Sequence, residues 1–334
     1  RSFYFSLSFN KLNYLRTSVS ISSLHYMAMP NRSPRKGRKN GLIDGLRKFA
    51  YSNPLYVYTL SRRVPKHLFG TPPELLPGDA ASGQIILAGS LMFAGQRWPF
   101  VNIADFLKNA SQYGNAYVHG FSWLSDLRAV ASNSARLMAR NHVATWIRTY
   151  TKWSPLAWQA DVIGRRLSEW LTHYGFFAGD APQDFCDLFL REVTKQACHL
   201  NRTVMKTLEG PGRIQGLKGL IYCGVALPGH EIHLKNGLNF LETELTNQIF
   251  PDGGHYSRNP LIHLEVLTAL ISIRETFVAA HIDVPTWLSE TIGRMVPMLR
   301  TFRHADGGLA FFNGANTVEP TKIDTLLLRS GIKA

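Results

Sequence analysis

The chain has 334 residues, 45% hydrophobic and 18% charged, with a formal net charge of +14. That composition supplies a sizeable core and excludes a globally disordered protein, and no run approaches the roughly 18 apolar residues of a membrane-spanning helix. The charge is unevenly placed: residues 1–40 hold eight Lys or Arg and no acid, which leaves +6 for the rest.

Residues 1–40 read as a basic, solvated leader rather than a nucleic-acid-binding arm. The chain opens on Arg1, and Met27 or Met29 is the expected initiator. No cleavable signal is evident, so the expected location is periplasmic if a signal precedes these residues and cytoplasmic otherwise. Residues 41–63 suggest two short helices broken near Asn53-Pro54. Residues 64–120 are punctuated by Pro and Gly and are the least helical part. Within them "GQIILAGSLMFAGQRWPFVNI" suggests a short hairpin turning near Gly95. Residues 41–120 are thus expected to pack as an N-terminal layer on the helices that begin near residue 121.

From Phe121 the pattern is helical. Trp123, Leu124, Leu127 and Val130 keep 3–4 spacing, as do Leu137, Ala144 and Ile147. "SPLAWQADVIGRRLSEWLTHYGFF" suggests one amphipathic helix capped by Ser154 and ended by Gly175. Helices are expected at 182–208, 211–227, 229–249, 260–281 and 285–302. The segment 211–227 is apolar on most faces and should be an inner helix. Short connectors between them imply antiparallel helical hairpins. Asp-Gly-Gly recurs at 252–254 and 306–308, 54 residues apart, as two equivalent turns on one rim of a helical ring would. Cys186, Cys198 and Cys223 form no CxxC pair and no metal-ligand spacing, and read as free buried thiols. No metal or cofactor is expected.

Chemistry concentrates on the connector "FPDGGHYSRNP" (250–260). Pro251 and Gly253 or Gly254 suit a tight turn, while Asn259 and Pro260 suit the cap and first residue of a helix. Between them stand His255, able to carry a proton near neutral pH, Tyr256, and Arg258, able to clamp a carboxylate or sulfate. His263 comes one turn later. Arg213, His230, Arg303, His304 and Asn313 also sit at helix-to-helix turns. Together they are expected to form a cationic hollow for an acidic ligand.

The stretches "RIQGLKGLIYCGVALPG", "LETELTNQIFPDGGHYSRNPLIHLEVLTALISIRETF" and "MVPMLRTFRHADGGLAFFNG" resemble the heparinase II/III-like polysaccharide lyases. The resemblance implies a mostly α fold: an incomplete α/α toroid of antiparallel helical hairpins at 121–314. It also implies a β-sandwich domain, of which 315–334 would be the start or a tail. The implied activity is β-elimination on a uronate-containing anionic polysaccharide. In that chemistry a His or Asn quenches the uronate charge and a Tyr shuttles the proton. On this reading His255, Tyr256 and His263 are the catalytic candidates. Arg213, Arg258, Asn259, Arg303, His304 and Asn313 are the substrate-binding ones. The family's tyrosine a few residues into the helix falls here near Ile262, next to His263, and Gly212-Arg213 stand about where its Asn-His pair would be. The alternative is a non-catalytic helical domain that binds anionic glycan or serves as a scaffold.

Overall fold

The computed structural model describes residue 45 and residues 47–61, 63–207 and 209–333. The basic leader lies outside the described residues.

Asn53 breaks the first helical segment: its side chain accepts from Leu55 N at 2.9 Å and caps α1 (Pro54–Leu60). Asp79 caps α2 (Ala80–Leu87), which leads into β1 (Ser90–Phe93) and β2 (Gln96–Pro99). The strands pair antiparallel, Ser90 opposite Pro99 and Phe93 opposite Gln96. Ala94 and Gly95, at φ 55° and 73°, form the two-residue turn, whose twist suits a hairpin. The segment 64–120 also holds α3 (Ile103–Asn109) and α4 (Gln112–Gly120). These helices are too short for a clear 3.6-residue pattern, which is why the segment reads as irregular.

The rest is helical: α5 (Leu124–Ala129), α6 (Asn133–Tyr150), α7 (Ala160–Thr172), α8 (Tyr174–Ala178) and α9 (Gln183–Thr207) come first. After them come α10 (Pro211–Ala226), α11 (Glu231–Gln248), α12 (Pro260–Ala279), α13 (Thr286–Thr301) and α14 (Pro320–Ser330). Two boundaries differ from expectation. Residues 155–158 form a turn, not the first turn of α7, because Trp158 Nε1 donates to Tyr150 O at 3.1 Å and Arg166 Nη2 donates to Ala157 O at 2.9 Å. The helix then breaks at His173 rather than at Gly175. Residues 320–330, expected as a tail or the start of a sandwich, are the helix α14 packed on α12 and α13.

The hairpins form two concentric layers. The inner series α4, α7, α10, α12 and α14 packs each helix on the next, and α6, α9, α11 and α13 do the same outside. This is an incomplete α/α toroid. Helix α10 is buried along most of its length, as its sequence predicts. It meets α7 backbone to backbone: a Cβ on Gly164 would fall 2.3 Å from Gln215 O, so only glycine fits there. Trp123, Trp146 and Trp170 are fully buried, and the Arg166 guanidinium lies 4.1 Å over the Trp146 ring. Among the described residues no helix is long and apolar enough to cross a membrane.

Candidate functional site

The connectors that lead from outer to inner helices share one rim, and both Asp-Gly-Gly turns lie on it. In the first, Gly253 has φ +82°, Asp252 Oδ1 accepts from Gly254 N at 2.8 Å, and Tyr256 N donates to Gln248 O at 2.8 Å. In the second, Gly307 has φ +83°, Asp306 Oδ1 accepts from Gly308 N at 2.9 Å, and Ala310 N donates to Phe302 O at 2.9 Å. The repeated tripeptide thus marks one backbone motif used twice.

A hydrogen-bonded chain crosses this rim. Arg213 Nη1 donates to Glu244 Oε1 at 2.5 Å, Gln248 Nε2 to Glu244 Oε2 at 3.4 Å, and Gln248 Oε1 meets His255 Nε2 at 3.0 Å. Ser257 N donates to His255 Nδ1 at 3.1 Å, so Nδ1 is the acceptor and Nε2 carries the proton. Ser257 Oγ also lies 2.8 Å from Nδ1 and accepts from Asn259 N at 3.2 Å. Both nitrogens of His255 are engaged, and burial lowers its pKa to about 4. Asn259 caps α12 by accepting from Leu261 N and Ile262 N at 2.8 and 3.1 Å, and its Nδ2 donates to Asn313 O at 2.7 Å.

The remaining sequence candidates are held apart from one another. Arg258 folds back on its own loop, 2.8 Å from Asp252 Oδ2 and 4.8 Å over the Phe250 ring. His263 is buried in the core, its Nε2 donating to Met295 O at 2.9 Å, with burial lowering its pKa to about 4. Arg303 pairs with Asp324 at 2.8 Å, and His304 is exposed. Tyr256 is exposed, with its hydroxyl over Gly210. The expected open cationic hollow does not form on this rim. Arg213, Arg258 and Arg303 each meet a carboxylate instead, and His255, Asn259 and Asn313 join in holding the loops.

The hollow of the molecule lies at the ring centre. A cleft of about 160 Å³, partly open to solvent, is walled by α7, α10 and α12 and crossed by residues 73–78. That crossing segment is tied to α10 by Phe69 N donating to Ala226 O at 2.9 Å, and to α5 by Asp79 N donating to Asp126 Oδ1 at 2.8 Å. Each of these three helices turns a polar stripe into the cleft at the spacing of one helix face: Arg165, Ser168, Glu169 and Thr172; Gln215, Lys218 and Tyr222; Glu265, Thr268 and Ser272. Arg165 and Glu265 face each other at 3.8 Å. Lys218 reaches over the Tyr222 ring at 5.2 Å and pairs with no carboxylate among the described residues. Burial raises Asp126 to about 7 and pushes Glu74 up as well. Sequence reasoning passed over these residues. The available signal was polar side chains recurring every three or four positions, clearest in α10 and α12, which are otherwise apolar all round.

A family model described as "Heparinase II/III N-terminus" matches residues 111–327. The chain belongs to the heparinase II/III family. Among curated proteins it is 30% identical over 269 residues to FtsZ-localized protein C of Caulobacter vibrioides, covering 79% of this chain and 46% of that protein. Among solved structures it resembles heparinase III at TM-score 0.62 and 16% identity, over 88% of this chain and 50% of that one. It also resembles the heparan sulfate lyase HepC of Pedobacter heparinus at TM-score 0.54 and 16% identity, over 88% and 50%. These likenesses carry the toroid fold. The chain spans about half the length of the relatives it matches.

Proposed function

We propose that this chain is the helical, glycan-binding part of a heparinase II/III-type protein. Its ligand is an anionic polysaccharide, and the reaction it serves is β-elimination across a uronate. The observation that supports this reading is the solvent-open cleft at the ring centre with its three polar stripes. Hydroxyl and amide groups at regular spacing suit the hydroxyls of a sugar chain; the stripes also carry the carboxylates Glu169 and Glu265, Glu265 facing Arg165, so Lys218 is the cation offered to an acidic group. Elimination needs the uronate charge quenched, a base at C5 and an acid at O4. Lys218 is assigned to the acidic group. Tyr256 is assigned to the proton, because its side chain is exposed while both nitrogens of His255 are occupied; it stands on the connector rim and does not line the cleft, so the ligand would have to reach from the cleft to that rim. His255 and Asn259 hold the connector that presents it.

The test is incubation with heparan sulfate, alginate and other uronate chains, using the protein joined to the remaining half of a heparinase II/III-type chain. Appearance of the ultraviolet absorption of an unsaturated uronate, lost in Tyr256→Phe, is the expected result. No product across the panel would defeat the elimination reading.

The internal pairing of Arg213, Arg258 and Arg303 favours a second reading, a non-catalytic scaffold. It predicts glycan binding without turnover, indifferent to Tyr256→Phe. The likeness to FtsZ-localized protein C adds a specific form of it, association with FtsZ, which co-sedimentation would reveal.

A further inference from the structure

Outside the ring cavity, tertiary structure gathers three ligand-bearing side chains that are scattered in sequence. Cys198 lies on α9, His230 on the bend before α11, and His233 one turn further on. Their ligand atoms all lie within 4.8 Å of one another. His230 Nδ1 is 3.2 Å from His233 Nε2, and Cys198 Sγ is 3.8 Å from the same nitrogen. Tetrahedral zinc, with bonds of about 2.0–2.1 Å to nitrogen and about 2.3 Å to sulfur, sets its ligands about 3.3 Å apart for two nitrogens and about 3.6 Å for nitrogen and sulfur.

We propose that Cys198, His230 and His233 form a binding site for zinc or a divalent ion of similar softness. Three features support it. His230 Nε2 donates to Arg63 O at 2.7 Å, which leaves Nδ1 with its lone pair facing the cluster. A ligating imidazole oriented through its other nitrogen is the usual arrangement at metal centres. His233 Nδ1 has no hydrogen-bond partner among the described residues, so its ring proton can move there without breaking a bond. Cys198 is partly exposed, which leaves a fourth position for water. Binding sends the Cys198 thiol proton to solvent and shifts the His233 proton from Nε2 to Nδ1 as the metal takes the two lone pairs. The ion would join α9, α11 and the segment at Arg63, fastening the chain that goes on to cross the ring cavity.

Cobalt titration of the reduced, chelator-treated full chain tests this. One equivalent is expected to give the visible bands of tetrahedral cobalt with a thiolate charge-transfer band. That band should be lost in Cys198→Ser and kept in Cys186→Ser. Absence of the band, or its survival in Cys198→Ser, overturns the site. A second measurement needs no variant. One equivalent of zinc should slow iodoacetamide alkylation of Cys198 at least several-fold while leaving Cys186 unchanged, as read by peptide mass spectrometry. Equal alkylation of Cys198 with and without zinc overturns the proposal.

Discussion

Asn259 and Asn313 hold each other's loops: Asn259 Nδ2 donates to Asn313 O at 2.7 Å, and Asn313 Nδ2 donates to Arg258 O at 3.0 Å. The two stand 54 residues apart, the same interval as the two Asp-Gly-Gly turns. Asn259 is buried and also caps α12. Asn259→Ala is therefore expected to cost about 1–2 kcal/mol for the cap, with more for the buried polar groups it strands. Asn313→Ala, at an exposed position, should cost less. Denaturant unfolding of both singles and the double should show them coupled by at least about 0.5 kcal/mol.

The two turns share a backbone but not their surroundings. A Cβ on Gly253 would lie 2.0 Å from Arg294 O, whereas on Gly307 it would meet the Arg303 guanidinium at 3.0 Å and Pro320 at 3.1 Å. Both residues have positive φ, which strains alanine. Gly253→Ala is expected to lose at least about 2–3 kcal/mol, because backbone has to move, and Gly307→Ala about 1–2 kcal/mol. Equal losses in thermal unfolding would contradict this packing.

Glu244 is buried beside Arg213. Removing the cation alone leaves an uncompensated buried carboxylate, so Arg213→Ala is expected to cost about 3 kcal/mol or more. Adding Glu244→Gln should recover part of that loss, which a double-mutant cycle measures.

Acid should unfold the protein early. Burial lowers His119 and His199 to about 3, and His142, His233, His255 and His263 to about 4, from an ordinary 6.5. Above pH 6.5 these rings are neutral folded or unfolded, and the fold keeps its full stability. As pH falls from 6.5 toward 4 the unfolded chain takes up protons that the native state refuses. Each such ring then removes up to about 1.4 kcal/mol per pH unit. Tm should fall steadily over that window. His255→Gln should flatten the slope by about one proton, and an unchanged slope would count against the buried neutral ring.

Lys218→Ala tests the cleft. Loss of one charge-assisted contact of about 1.4 kcal/mol or more should weaken binding of a uronate oligosaccharide roughly tenfold or more in calorimetry. Lys108→Ala, on the exposed face of α3, should leave it unchanged.

The helical hairpins were legible because α9, α11, α12 and α13 are long and carry their own caps or breaks, such as Asn259-Pro260 before α12. The inner position of α10 was legible from its apolar faces. The start of α7 was not, because what displaces it from Pro155 to Ala160 is a contact from Trp158 to Tyr150 and one from Arg166 to Ala157. The connector's residue types were legible as polar and cationic. Their pairing was not: Arg213 and Glu244 are 31 positions apart and meet only because α10 and α11 pack together.

By itself, the order of residues determined the helices, their capped turns and the family, since these rest on local periodicity and short-range hydrogen bonds. Only the tertiary structure decided which charges neutralise one another on the rim and which polar stripes face the central cleft. It alone brought Cys198 to His230 and His233. Such groupings depend on distances between separate helices, and those are set by how the whole ring closes.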